Sequence, residues 1–233
     1  MKVVLILIAC GVFSFFVVGA NEAVSAEQGK ACATPDSKLM ALIEESQSAG
    51  DVWQMDDCDS VRHLQSGVTC SADLPLDESA LERLVEFPTG LGLGEDVACD
   101  DSLPDGGALT LYVTRDADPR DSESEFQGVV DAIAQRFERL KPIQTPIMSG
   151  PIPGEAEPIE PLTASFEFEM EDGRKAVTSA WYYVLHDWQV KIRLTEFGTS
   201  ADEASMGQLT GGLMMILALT NVSEQAMNNQ RLD

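Results

Sequence analysis

Three runs of alternating residues joined by two tight turns, between Thr163 and Phe197, constrain this chain more than any other feature. In Thr163 to Met170, Ala164, Phe166, Phe168 and Met170 alternate with Ser165, Glu167 and Glu169. Asp172-Gly173 supplies a hairpin turn, since Gly adopts the positive φ such turns demand. Lys175 to Leu185 returns with Trp181, Tyr182 and Tyr183, and His186-Asp187 makes the second turn. Trp188 to Phe197 closes the meander, with Val190, Ile192 and Leu194 on one face and Lys191, Arg193 and Thr195 on the other. A period of two over consecutive segments means antiparallel strands with one face against a core.

Upstream, Ala108 to Arg115 has the same alternation, Leu109, Leu111 and Val113 against Thr110, Tyr112 and Thr114, and Val97 to Cys99 reads as a short strand. Glu123 to Leu140 carries Phe126, Val129, Val130, Ile133, Phe137 and Leu140 at helical spacing. Its acids lie at the start and Arg136, Arg139 and Lys141 at the end, as the helix dipole favours. Six prolines in residues 142–161 exclude helix or central strand, so a long strap follows, and any binding edge is sought there first. A final helix spans about Asp202 to Thr220, with Gly207 and Gly211 spaced for close packing; its apolar centre is too short to cross a bilayer. The expected fold is α+β: an antiparallel sheet of about four to five strands with helices packed on it, in residues 87–233.

Residues 27–86 read differently, as a disulfide-tied N-terminal extension of helix and loop. Asp36-Ser37 caps a helix to about Ala49, with Leu39, Leu42, Ile43 and Ser46 on one face. Val52 to Leu76 has no clear period. Asp77 to Glu86 reads as a second short helix, with Leu81, Leu84 and Val85 inward.

Met1 to Ala20 has the form of an export signal. Lys2 precedes an almost wholly apolar run, and Val24-Ser25-Ala26 suits cleavage after Ala26, leaving residues 1–26 as signal peptide and Glu27 as the mature start. The competing readings are an uncleaved anchor and a lipid-modified Cys10. Lipidation would leave ten largely apolar residues at the mature terminus, so Cys10 is more simply part of the signal. The expected address is the periplasm or the extracellular medium, with no stable membrane insertion after cleavage. Cys32, Cys58, Cys70 and Cys99 are then expected as disulfides, in any of three pairings. They contain no Cys-x-x-Cys pair and the two histidines are isolated, which argues against zinc.

The formal net charge of −24 over 233 residues disfavours nucleic acid and anionic membrane surfaces. Acidic patches at Asp56-Asp57-Cys58-Asp59, at Asp100-Asp101 with Asp105, and at Asp116 to Asp121 raise calcium as an alternative, but none has the calcium-loop spacing. No hydrolase elbow, zinc-protease helix, dinucleotide loop or phosphate loop is present, and no cofactor is expected. Lys191 and Arg193 share a strand face. Cross-strand ion pairs are their simplest fate, but an exposed basic stripe on so acidic a protein would be an anion or carboxylate site. Lys191 and Arg193 with Trp181 and Trp188 form the candidate binding surface.

From Phe87 to about Leu219 the chain resembles a group of uncharacterised exported bacterial proteins. The resemblance rests on the 107–114 strand (Gly-Ala-Leu-Thr-Leu-Tyr-Val-Thr), the helix from Glu123, and the 188–195 strand (Trp-Gln-Val-Lys-Ile-Arg-Leu-Thr). The element order is similar to the PsbP-like α/β sandwich, which implies a fold and no activity. The expectation is a secreted or periplasmic module, non-catalytic, binding an unknown protein or small-molecule partner or assisting the envelope. The alternatives are a carboxylate-based hydrolase and a calcium-stabilised structural protein.

Overall fold

The computed structural model describes residues 35–71, 80–115 and 122–231. The export signal, Cys32 and the Asp116 to Asp121 patch lie outside the described residues.

The meander forms as its alternation demands. Strands β8 (Leu162–Glu169), β9 (Lys175–Leu185) and β10 (Trp188–Phe197) pair antiparallel in sequence. They belong to a seven-stranded sheet that also holds β4 (Ala80–Glu86), β5 (Asp96–Ser102), β6 (Ala108–Arg115) and β7 (Lys141–Ile143), in the order β4-β5-β6-β10-β9-β8-β7. All its pairs are antiparallel. The α+β class stands, and the sheet is larger than the four to five strands expected. Residues 80–86 are a strand, not the end of a helix. They form the sheet's edge, although they fall within the stretch read as an extension. Residues 53–71 are not loop but a small second sheet of β1 (Trp53–Met55), β2 (Ser60–His63) and β3 (Thr69–Ser71).

Helix α1 (Ser37–Glu45) starts where its cap predicts. The Asp36 carboxylate accepts from the Lys38 and Leu39 amides, at 2.7 and 3.3 Å. Helix α2 (Ser122–Arg136) ends before Leu140, because the chain turns back through Arg139 at φ 56° into β7. Helix α3 (Ser205–Gln230) runs ten residues past the expected end. Among the described residues no helix is long and apolar enough to cross a membrane.

Each face of the large sheet has its own cover. On one face α3 lies over β9 and β10, and α1 and the small sheet complete the core. Leu39, Val52, Trp53 and Val61 join Val97, Leu111, Val113 and Ile192 in one apolar cluster. The Cys70–Cys99 disulfide ties β3 to β5 there, and Cys58 is disulfide-bonded as well. The proline-rich strap follows α3 with Ile152 and Ile159 buried, and the Ser223 hydroxyl donates to the Pro153 carbonyl. On the other face α2 packs chiefly on β8 and β9, and Phe137 just after it stacks on Phe168 at 4.2 Å between centroids. Toward β6 and β10 that cover is incomplete, and hollows remain between α2 and the sheet.

Close approach of α3 depends on Gly211, whose missing side chain leaves space for the fully buried ring of Trp181. A methyl group there would overlap the ring. Gly211→Ala is expected to lose about 2 kcal/mol in denaturant titration, despite the better helix propensity of Ala. Gly128 in α2 faces open space, so Gly128→Ala is expected to gain up to about 1 kcal/mol.

Candidate functional site

The less covered half of the α2 face is built by register. Tyr112 on β6 lies opposite Lys191 on β10, which lies opposite Tyr182 on β9. Thr110 and Arg193 form the neighbouring row in the same way. Strand alternation therefore sets Lys191, Arg193 and Tyr112 on one surface, as their sequence parity predicts. The Lys191 ammonium sits 3.9 Å from the centroid of the Tyr112 ring, and Phe87 stacks on that ring from β4's end. The last turn of α2 adds Arg136 and brings Phe137 close behind it. The Arg136 and Arg193 guanidiniums lie 5.6 and 5.4 Å from the Phe137 ring centroid.

The simple fate expected for Lys191 and Arg193, cross-strand ion pairing, is not what the structure contains. Among the described residues neither has a salt bridge, and nor has Arg136. The acids nearest along the sheet are engaged elsewhere. Asp100 binds Arg83 at 2.5 Å, Asp96 accepts from Thr114, and Glu167 pairs with Lys175. Burial holds the Lys191 ammonium below its ordinary pKa, with Asp96 opposing and Arg193 adding to the fall. Burial and the neighbouring Arg136 charge lower Arg193 likewise. Arg193 Nη2 is buried with no hydrogen-bond partner.

Two hollows border Tyr112. One, about 160 Å3, is lined by Arg136, Arg193, Phe137, Phe197 and Thr110 among others. The second, about 240 Å3, lies between Lys191, Gln189, Tyr182 and α2, which lines it with Glu125, Gly128, Val129 and Ala132. A wider depression of about 830 Å3 lies elsewhere, around Arg115, His186 and Gln225. Its charges are already matched: Arg115 pairs with Glu95 and Asp187 and lies over Trp188.

No family model and no curated protein matches the chain. Among solved structures it is similar to LpqN of Mycobacterium tuberculosis, described as involved in cell envelope biogenesis. The identity is 11% and the TM-score 0.34, over 62% of this chain and 79% of that one. So loose an overlap carries no argument about function.

Of the four residues read as a binding surface, Lys191 and Arg193 lie on this face, each lining a different one of the two hollows, and the tryptophans do not. Trp181 is fully buried beneath α3 and Trp188 is 8% exposed, both on the opposite face of the sheet. Their side chains belong to the core because they alternate in phase with Ile192 and Val190. Tyr112, Arg136 and Phe137 complete the cleft instead. Tyr112 already had the outward parity of Thr110 and Thr114, but only the register of β6 against β10 brings it to Lys191.

Two carboxyls have raised pKa values, each about 7. Burial does this for Asp101, with Asp100 adding to it, and burial with Asp105 does it for Glu196. The carboxylates that help raise them include Asp100 and Asp105 but not each other. His63 is fully buried between Trp53 and Trp188, its Nδ1 2.7 Å from the Ser66 hydroxyl; burial lowers its pKa to about 4. Among the described residues no group of three His, Cys, Asp or Glu side chains could hold a metal ion. Asp56 meets Arg62 and Thr69, and Asp105 accepts from the Gly107 and Phe197 amides.

Proposed function

We propose that this protein is an exported, non-catalytic binding module, and that its ligand site is the cationic, aromatic cleft on the less covered half of the α2 face. One observation carries the reading: Lys191, Arg193 and Arg136 lie around the Tyr112 and Phe137 rings, and among the described residues none of the three has an ion-pair partner, in a protein of net charge −24. Unpaired, partly desolvated cations cost stability, and a structure that keeps them beside a hollow is suited to an anion. The disulfides support work outside the cytoplasm, at the cell envelope or beyond it, since such bonds persist in oxidising compartments. The apolar segment ending at Ala26 and the resemblance to exported bacterial proteins agree with that address.

The test is a melting-temperature screen of small anions, cations and neutral molecules at constant ionic strength. Anions are expected to raise the melting temperature by several degrees, and the Lys191→Ala/Arg193→Ala variant is expected to lose that response. Reproducible turnover in a hydrolase screen, abolished by substituting one Asp or Glu, would overturn the reading. Native protein whose intact mass does not begin at Glu27 would overturn the proposed cleavage site.

A further inference from the structure

Resting on the binding-module reading, we infer that the hollow between Arg136 and Arg193 takes a small aromatic carboxylate, its oxyanion on the two guanidiniums and its ring among Phe137, Phe197 and Tyr112.

The head group follows from the donors. A guanidinium presents a planar fork that matches a carboxylate's two oxygens, which an ammonium does not. Arg136 on α2 and Arg193 on β10 line the same hollow and approach the same ring of Phe137. Two neighbouring like charges repel, and among the described residues no carboxylate lies within ion-pair distance of either. Arg193 Nη2 has no acceptor among the described residues. A bound oxyanion supplies the counter-charge and acceptors in one step. Thr110 also lines the hollow, with a hydroxyl suited to a polar substituent, whereas the Thr195 hydroxyl already bonds that of Thr178.

The body follows from size and walls. The hollow measures about 160 Å3, and a cavity of roughly 150 Å3 holds one benzene ring. Three of its lining residues are aromatic, and Gly106 and Ala108 add little bulk. A planar ring stacks on such walls at low entropy cost. An inorganic anion would satisfy the arginines and leave the aromatic walls wet. Lys191 lies on the far side of Tyr112, where its charge strengthens the field without occupying the same hollow.

The experiment is calorimetric titration of the disulfide-bonded mature protein with benzoate, benzamide, acetate and inorganic phosphate. Benzoate is expected to bind with a Kd on the order of 0.1–1 mM, within reach of so small a ligand. Benzamide lacks the charge and acetate lacks the ring, so each is expected to bind about tenfold more weakly or worse. Arg136 is exposed, and Arg136→Gln should keep the melting temperature while reducing benzoate affinity about tenfold. Arg193→Lys keeps the charge but removes the fork, and the same loss is expected. Phosphate binding as tightly as benzoate, and weakened by the same two variants, would overturn the ligand class and leave the binding module standing. Benzoate binding untouched by both variants would overturn the location. Silence from every anion would overturn ligand class and module together.

Discussion

Asp101→Asn is expected to stabilise the protein at pH 8 and slightly destabilise it at pH 4. Asp101 is 4% exposed on the core face of β5, and its Oδ1 has no hydrogen-bond partner. Burial raises its pKa from 3.8 to about 7. The unfolded chain ionises this group near pH 4 while the native state keeps its proton. Its contribution is therefore intact below pH 4 and is lost as pH rises through 7, by about 4 kcal/mol in all. An amide stays neutral and escapes that loss, although its own unmatched polar atoms cost about 1 kcal/mol at every pH. The net expectation is a gain of about 3 kcal/mol at pH 8 and a loss of about 1 kcal/mol at pH 4. His63 has the opposite slope. Its native pKa of about 4, against the ordinary 6.5, removes about 3 kcal/mol as pH falls from 6.5 through 4. In the wild type the two terms nearly cancel between pH 4 and 6.5. In Asp101→Asn the His63 term stands alone, so stability should climb across that interval. Denaturant midpoints at pH 4.5, 6 and 8 check both signs; a variant that shifts the midpoint equally at all three would sink the assignment.

Removing the Cys70–Cys99 bond with Cys70→Ala/Cys99→Ala is expected to cost about 3–4 kcal/mol. The bond closes a segment with a sequence separation of 29, and loop-closure entropy for that length predicts a loss of this size. Both cysteines are buried in the cluster that joins the two sheets, so two lost sulfurs add a packing term of the same sign. The damage should be unevenly distributed. Strands of three and four residues cannot hold themselves together, and β1, β2 and β3 rely on this bond and on shared core contacts with Val97 and Trp188. Hydrogen exchange of the variant should therefore show protection lost in residues 53–71 before the β8–β9–β10 meander. Uniform loss of protection across both sheets would contradict that order.

The meander was legible because each strand is long enough to display its period and each turn carries a residue suited to positive φ. Gly173 at 81° and His186 at 52° fall where Asp172-Gly173 and His186-Asp187 predict turns. β4 was misread for a definite reason. The register slips between Leu81 and Arg83, so Leu81 opposite Asp101 and Leu84 opposite Cys99 share a face although three residues separate them. A bulge thus imitates helical spacing. The small sheet was invisible because its strands are shorter than any window in which alternation can be counted. For the cleft, parity within β10 puts Trp188 in phase with Val190 and Ile192, against its grouping with Lys191 and Arg193 as one surface. Arg136 and Phe137 had no such signal, since their place depends on where α2 stops.

The strand order has a bearing on what this protein does at high concentration. A seven-stranded sheet has two flanks where unpaired amides and carbonyls could recruit a second chain, and both are poor templates. β7 is three residues long and its centre is Pro142, which cannot donate to a neighbour. β4 carries exposed Glu82 and Arg83 at its bulge, so an incoming strand would meet charge and a broken ladder together. Resistance to edge-to-edge growth is thereby written into the two outermost strands, and crowding would find neither flank of the sheet a ready template for fibril-like extension.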